Sequence, residues 1–451
     1  MDADAPDRRA VLRALAAGGL GPLGACAAGP EPTLSVPDAA LVDEPLDVAV
    51  EGLESGARAV VRASAQSSDG VEWASHAAFE ADGDGTIPVA DRAPLEGTYE
   101  GADPAGLLWS MRPAYATPGE PLPPRALFAP PPAGYDVTLS VEVDGEAVAS
   151  ATTRRRLHDP AVEARPVDHP DLVGTLFLPP DGGPAPGVVH LHGAGGEPFE
   201  PTARLLASRG FATLALQYFG APAPLPDNLV EVPVEYVETA VGWLRDRPGV
   251  AGGDVGLFGF SRGVALALLA ATRADAVGAV VGWVGSGVVW EGLGPGYSPA
   301  GTSAWSIGGE PVAYLGWRAR DLGDPPTASR PIYEGALERA TGGDLATATV
   351  PVERADAPVH LVSATDDARW PSTALSARVV DRLDERGSPR EHRHEAHEGA
   401  GHFLTFPHRP TPGTTRDRLR VYGGSPAANA RANAGAWSGS LSVLDRALGR
   451  S

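Results

Sequence analysis

Val255-Gly256-Leu257-Phe258-Gly259-Phe260-Ser261-Arg262-Gly263-Val264 is the most telling run of this chain. An apolar strand, Val255 to Phe258, leads into Gly259-Phe260-Ser261-Arg262-Gly263, and a helical run from Val264 to Ala271 leaves it. A serine between two glycines at a strand-to-helix junction is the pattern of a nucleophile elbow. The tight turn pushes the hydroxyl beyond the sheet's edge, and small neighbours let backbone and substrate approach. The same five residues alone would also describe a glycine-rich turn that happens to hold a serine. Context separates the two, because strand, turn and helix stand in the required order and candidate partners follow downstream.

Outward from that turn, the chain after Pro166 alternates buried-strand runs with helical stretches. Gly187 to Leu191, Ala212 to Leu216, Val277 to Val281 and Pro358 to Val362 are nearly continuous apolar strands, and Val232 to Arg245 and Ser372 to Arg386 have helical character. Strands without a polar face must be covered on both sides, so the pattern predicts a mostly parallel, doubly wound α/β sheet over residues 166–451. A site should lie in the loops at the carboxyl ends of those strands.

Three such loops carry what acyl transfer needs. His192-Gly193-Ala194-Gly195-Gly196 follows one strand, and its backbone amides have little side-chain cover. With the amide of Arg262, either Ala194 or Gly195 could form an oxyanion hole. Thr365-Asp366-Asp367 follows another strand, and Gly399-Ala400-Gly401-His402 follows the segment resembling the last strand. An imidazole must take the serine's proton, and a carboxylate must hold its other nitrogen in the right tautomer. The order Ser261, Asp367, His402 is that of α/β-hydrolases. Asp366 competes with Asp367 for the acid role, and Asp367 is preferred. His392, His394 and His397 are rivals for the base; alternation puts His392 and His394 on one strand face, which suits packing. No histidine pair falls on one helix face, so no metal and no cofactor is expected.

The first part of the chain reads differently. Short alternating segments such as Leu46 to Val50, Ala59 to Ala63 and Val137 to Val143, separated by Gly, Pro, Asp and Ser clusters, predict an immunoglobulin-like antiparallel β-sandwich over residues 31–157. Asp144-Gly145 is a hairpin turn signal, and the proline-rich stretch from Pro113 to Pro132 reads as a long surface loop. Residues 1–30 read as a leader: Arg8-Arg9 resembles a twin-arginine export signal, and Leu23-Gly24-Ala25-Cys26 resembles a lipoprotein cleavage box. On that reading Cys26, the sole cysteine of the chain, is lipidated and anchors an exported protein to a membrane. The alternative is a disordered alanine-glycine leader on a cytoplasmic protein.

Composition sets the outer limits. A chain of 451 residues is too long for one ordinary core, and 43% hydrophobic with 21% charged residues is a globular balance. A formal net charge of -21 repels polyanions and argues against nucleic acid or an anionic membrane surface as partner. All 36 basic residues are arginines. The lone cysteine rules out an intrachain disulfide.

At many separated points the chain resembles the family of acyl-CoA thioesterases and bile acid-CoA:amino acid N-acyltransferases. The likeness runs through Leu41 to Pro45, Gly106 to Met111, Arg204 to Ala212, Gln217 to Gly220, Val350 to Arg354, Asp366 to Ser372 and Gly423 to Trp437. It implies that the family's nucleophile, acid and base fall on Ser261, Asp367 and His402. It further implies hydrolysis of a small-molecule acyl thioester through an acyl-enzyme, with serine suiting the thioesterase branch better than the amino-acid-conjugating branch. The segment from Gly285 to Ala340 is expected to shape the acyl pocket. Two other readings stand beside this one: an anchored esterase or acyltransferase acting on a carrier other than coenzyme A, and a catalytically silent binding protein.

Overall fold

The computed structural model describes residues 31–117, 120, 122–123, 126–220, 224–318 and 324–450; the leader reading at Arg8, Arg9 and Cys26 lies outside them. The second half of the chain forms an eight-stranded sheet. Its strands are β1 (Glu163–Pro166), β2 (Val173–Leu178), β3 (Gly187–Leu191), β4 (Ala212–Gln217), β5 (Val255–Phe260), β6 (Val277–Trp283), β7 (Val359–Ala364) and β8 (His392–His397). They lie side by side in the order β1-β2-β4-β3-β5-β6-β7-β8, antiparallel at β1-β2 and β2-β4 and parallel from β4 to β8.

Successive residues of the central strands enter different cores, as a pleat with both faces covered requires. Val189, Leu191, Leu257, Val280 and Leu361 belong to one buried cluster, with helices Val234–Arg245, Arg262–Ala271 and Ser372–Glu385. Val188, Phe258, Val281 and Val362 belong to the other, with helices Glu200–Ser208 and Pro426–Ala447. This is the α/β-hydrolase fold. Between β6 and β7 the chain leaves the sheet to form short strands at Glu291–Leu293, Pro299–Ser303 and Trp305–Ile307 and the helix Arg330–Arg339.

Ahead of this sheet, Arg58–Gln66, Glu72–Glu80, Tyr135–Val143 and Glu146–Arg156 pair antiparallel in a seven-stranded sheet. Strict burial alternation along Arg58–Gln66 shows one face turned to a core. A second, three-stranded sheet contributes Val50 and Ile87 to the same cluster. One pair departs from the antiparallel expectation: Ala39–Leu41 runs parallel to the end of Glu146–Arg156. At the Asp144-Gly145 turn both residues have positive φ, 52° and 85°, which matches the twist of the flanking strands.

The stretch from Pro113 to Pro132 is not a plain surface loop along its described length. Leu122, Ala126 and Phe128 are buried, and the Phe128 ring stands edge-on to Trp73 and Tyr135 at 5.6 and 4.9 Å. Apolar side chains between the prolines draw the strap inward. Arg409 of the hydrolase half donates to the Phe128 carbonyl at 2.6 Å. The two halves also meet where Arg209 holds the Asp43 carboxylate at 2.7 and 2.5 Å, while the Trp437 indole N–H donates to Asp43 at 2.8 Å. Among the described residues, no helix is long and apolar enough to cross a membrane.

Candidate active site

Ser261 sits between β5 and the helix Arg262–Ala271 with φ 53° and ψ -116°, a positive φ rare for a side chain of any size. Its amide donates to the Trp283 carbonyl on β6 at 2.8 Å, which fixes the turn. Gly263 makes the turn possible, since a Cβ there would lie 2.5 Å from the carbonyl oxygens of Leu191 and His192. The hydroxyl is thus held at the carboxyl end of β5, 8% exposed.

His402 and Asp367 come to it from the ends of β8 and β7. Nε2 of His402 lies 3.0 Å from Ser261 Oγ, and Nδ1 lies 2.8 Å from Oδ2 of Asp367. With Nδ1–H donating to Asp367, Nε2 is left to accept from the Ser261 hydroxyl. The other carboxylate oxygen, Oδ1, accepts the backbone amides of Arg369 at 2.8 Å and Trp370 at 3.2 Å. Asp367 is fully buried, whereas Asp366 is exposed and, among the described residues, bonds only through its backbone amide to the Ala400 carbonyl and weakly to the Thr365 hydroxyl. The His402 loop is held by its own amide on the Tyr422 carbonyl at 2.8 Å and by Asn429, whose Oδ1 accepts from the Gly401 amide at 2.8 Å.

The loop after β3 faces the serine, because a Cβ on Gly193 would lie 3.1 Å from Ser261 Cβ. Gln217 holds that loop by donating to the Gly196 carbonyl at 2.8 Å, and the Tyr218 hydroxyl donates to the His192 carbonyl. The His192 ring stacks on Tyr218 at 4.0 Å between centroids, and burial pulls its pKa down to about 4. Among the described residues no acceptor engages the amides of Ala194, Gly195 or Arg262.

Two of the three rival histidines are occupied elsewhere, and His397 lies on β8 itself rather than on the loop beyond it. His392 is 2.9 Å from Asp384, which holds its pKa above the ordinary value, and His394 is 2.7 Å from Ser363. Among the described residues, no three His, Cys, Asp or Glu side chains are placed to hold a metal ion.

Sequence reading missed the side chain of Arg262. It is buried, donates to the Tyr333 hydroxyl at 2.9 Å, and lies over the rings of Tyr333 and Trp370. Trp370 in turn stands edge-on to His402 at 6.0 Å, and Phe260 does so at 5.7 Å. Asn429 was also missed as an anchor. Its signal was faint, an asparagine inside an alanine-rich helix, where it has low helical propensity.

A nucleophile elbow, an imidazole and a buried carboxylate on the loops of this eight-stranded sheet define the class: an α/β-hydrolase built for serine chemistry. The chain belongs to the acyl-CoA thioester hydrolase and BAAT family. Residues 43–169 match the family's model for the acyl-CoA thioester hydrolase/BAAT N-terminal region, and residues 232–450 match the one for the BAAT/acyl-CoA thioester hydrolase C terminal. The peroxisomal succinyl-coenzyme A thioesterase of Mus musculus is 30% identical over 90% of this chain and 94% of its own length. Acyl-coenzyme A thioesterase 6 of Mus musculus is 32% identical over 88% and 91%, and the mitochondrial acyl-coenzyme A thioesterase 2 of Homo sapiens is 31% identical over 90% and 82%.

Proposed function

We propose that this protein hydrolyses acyl thioesters, with acyl-CoA as the substrate class, through Ser261, His402 and Asp367. The observation that carries the reading is the unbroken run of hydrogen-bond distances from Asp367 through His402 to Ser261. Similarity along nearly the whole chain to acyl-coenzyme A thioesterases supports the choice of substrate.

In the first half-reaction Ser261 Oγ attacks the thioester carbonyl while His402 Nε2 takes its proton. The carbonyl oxygen, now negative, is met by the amide of Arg262 and by that of Ala194 or Gly195. Collapse expels the thiolate, which leaves with the proton from His402, and the acyl group stays as an ester on Ser261. Water then attacks that ester, giving its proton to His402, and the second collapse returns the proton to Ser261 and frees the acid. Asp367 holds the imidazole in the required tautomer and offsets the charge it acquires.

Steady-state hydrolysis of acyl-CoA thioesters and short p-nitrophenyl esters, run on the protein and on Ser261→Ala, tests this. Serine-dependent release of thiol is expected; no serine-dependent turnover of either ester would sink the hydrolase reading.

A second reading concerns place rather than chemistry. The Arg8-Arg9 pair and the Leu23 to Cys26 box support export and lipid anchoring through Cys26. An anchored enzyme outside the cytoplasm would act on activated acyl groups other than coenzyme A esters. Mass spectrometry of the protein from its native cells separates the two: a diacylated Cys26 at the amino terminus supports export, and an intact Met1 or Asp2 on soluble protein overturns it.

A further inference from the structure

Two arginines beside the site stand out against the chain's charge of -21. Arg369 lies two residues after Asp367 and donates its backbone amide to that carboxylate at 2.8 Å. Its guanidinium donates to the Thr327 carbonyl at 3.1 Å. Arg420 lies directly across a backbone bridge from the same threonine: the Thr327 amide donates to the Leu419 carbonyl, and the Val421 amide donates to the Thr327 carbonyl, both at 2.9 Å. Two residues further on, Tyr422 holds the His402 amide. Arg369 therefore lies on the segment that carries the acid, and Arg420 on the segment whose Tyr422 carbonyl holds the base's amide.

Neither guanidinium has an ion-pair partner among the described residues. The acidic groups nearby are committed. Asp367 is engaged by His402 and two amides, and Asp417 accepts the amides of Leu419 and Arg420 at 2.7 Å each and the Tyr422 hydroxyl at 2.7 Å. Glu334 pairs with Arg330 at 2.6 Å. The Arg420 guanidinium lies 4.5 Å from the ring centroid of Tyr297, an arrangement that holds it in place without neutralising it. Tyr297 is 43% exposed, so this pair is at the surface rather than in the core. Burial and, more weakly, the facing charge of Arg420 lower the pKa of Arg369. Two half-buried guanidinium groups close enough to repel each other, neither in an ion pair among the described residues although the Asp417 carboxylate feels the charge of Arg420, supply the donors that phosphate recognition uses.

We infer that Arg369 and Arg420 form the docking site for the phosphate groups of the substrate's thiol carrier. The assignment rests on the thioester reading above and adds what that reading lacks: a place for the anionic end of coenzyme A on a strongly acidic protein. The pantetheine arm would run from the thioester at Ser261 over Trp370 towards this rim, and the pyrophosphate or the ribose phosphate would accept from the two guanidinium groups.

The test is steady-state kinetics with one acyl group on two carriers: coenzyme A, and N-acetylcysteamine, which keeps the thioester and lacks every phosphate. Arg420→Gln and Arg369→Gln should each raise KM for the CoA ester about tenfold. Arg420→Glu should raise it further, and in both Arg420 variants kcat and the N-acetylcysteamine kinetics should stay as in the wild type. Added salt should weaken wild-type KM for the CoA ester alone. Arg420 is half-exposed, so its variants keep the test open even where Arg369→Gln fails to fold. Equal changes on both carriers, or no change on either, overturn the assignment. A wild type that cleaves both esters with the same KM loses only the arginine site; one that cleaves neither removes the thioester reading and this assignment with it.

Discussion

The Asp367 carboxylate divides its two oxygens between tasks: Oδ2 faces Nδ1 of His402 at 2.8 Å, and Oδ1 is held by the amides of Arg369 and Trp370. Those amides fix the carboxylate's plane, so it can orient the imidazole without rotating away. Asp367→Asn would present an amide group to the ring and favour the wrong tautomer. We predict a fall in kcat of roughly 10⁴-fold, as tautomer loss produces in other triads. Asp366→Asn, one residue away and exposed, should stay within about twofold, since surface changes away from partners have little effect. Steady-state rates of the two variants, with melting curves to show that both fold, decide the matter.

The Asp367 loop is also held from behind by Gly423, which lies across a backbone bridge from it. Gly423 has φ 84°, and a Cβ there would come 1.9 Å from the Asp366 carbonyl oxygen, a backbone atom that cannot swing aside. Gly387, with φ 65° and nothing within 4 Å, carries the conformational cost alone. Gly387→Ala should therefore lose about 1 kcal/mol of stability and no activity. Gly423→Ala should lose both together, because the acid loop must move to admit it. Full activity in Gly423→Ala at normal stability would falsify this account of the loop.

Much of this arrangement was legible in the residues themselves. The strand-elbow-helix run at Ser261 and the loops at Asp367 and His402 are local patterns, and local patterns survive in sequence. The choice of Asp367 over Asp366 rests on which way one turn faces, and only the fold supplies the two amides that settle the carboxylate's direction. The strap from Pro113 to Pro132 misled because prolines report backbone stiffness and say nothing of where Leu122 and Phe128 find their cover. Arg262 was read for its backbone amide alone. Its buried guanidinium depends on Tyr333 and Trp370, which lie 71 and 108 positions away by residue number.

Asp43 and Arg209 join the two halves unequally. The Asp43 side chain is 2% exposed and the Arg209 side chain 28%. Arg209 can turn to Glu44, already 3.0 Å away, but Asp43 keeps only the Trp437 indole N–H. Removing the arginine thus strands a buried carboxylate, and removing the carboxylate's charge strands much less. Arg209→Met should destabilise the protein by about 3 kcal/mol, and Asp43→Asn by about half of that. Equal losses in chemical denaturation would show that the contact is worth only its shape.

Acid should weaken the fold well before its carboxylates titrate; burial lowers the pKa of His360, His394, His397 and His408, and the largest lowering falls on β3 and the loop after it. Burial lowers the pKa of His190 to about 3 and that of His192 to about 4, from an ordinary value of 6.5. The unfolded chain therefore takes up protons below about pH 6.5 that the folded chain refuses. Stability from these groups is complete above that pH and drains away as pH falls towards the folded values. A group of this kind forfeits about 2 kcal/mol between pH 6.5 and pH 5, a window above the range where the arginine-bonded acids Glu353 and Asp356, whose folded pKa values are lowered, begin to matter. His190 stacks on Phe258 in the core and its Nδ1 has no partner, so leucine can replace it without losing a bond there. His190→Leu should flatten the pH dependence of the urea midpoint between pH 6.5 and pH 5 relative to the wild type. An unchanged slope in that window would mean that the ring is protonated in the fold after all, or that it opens to water before it titrates.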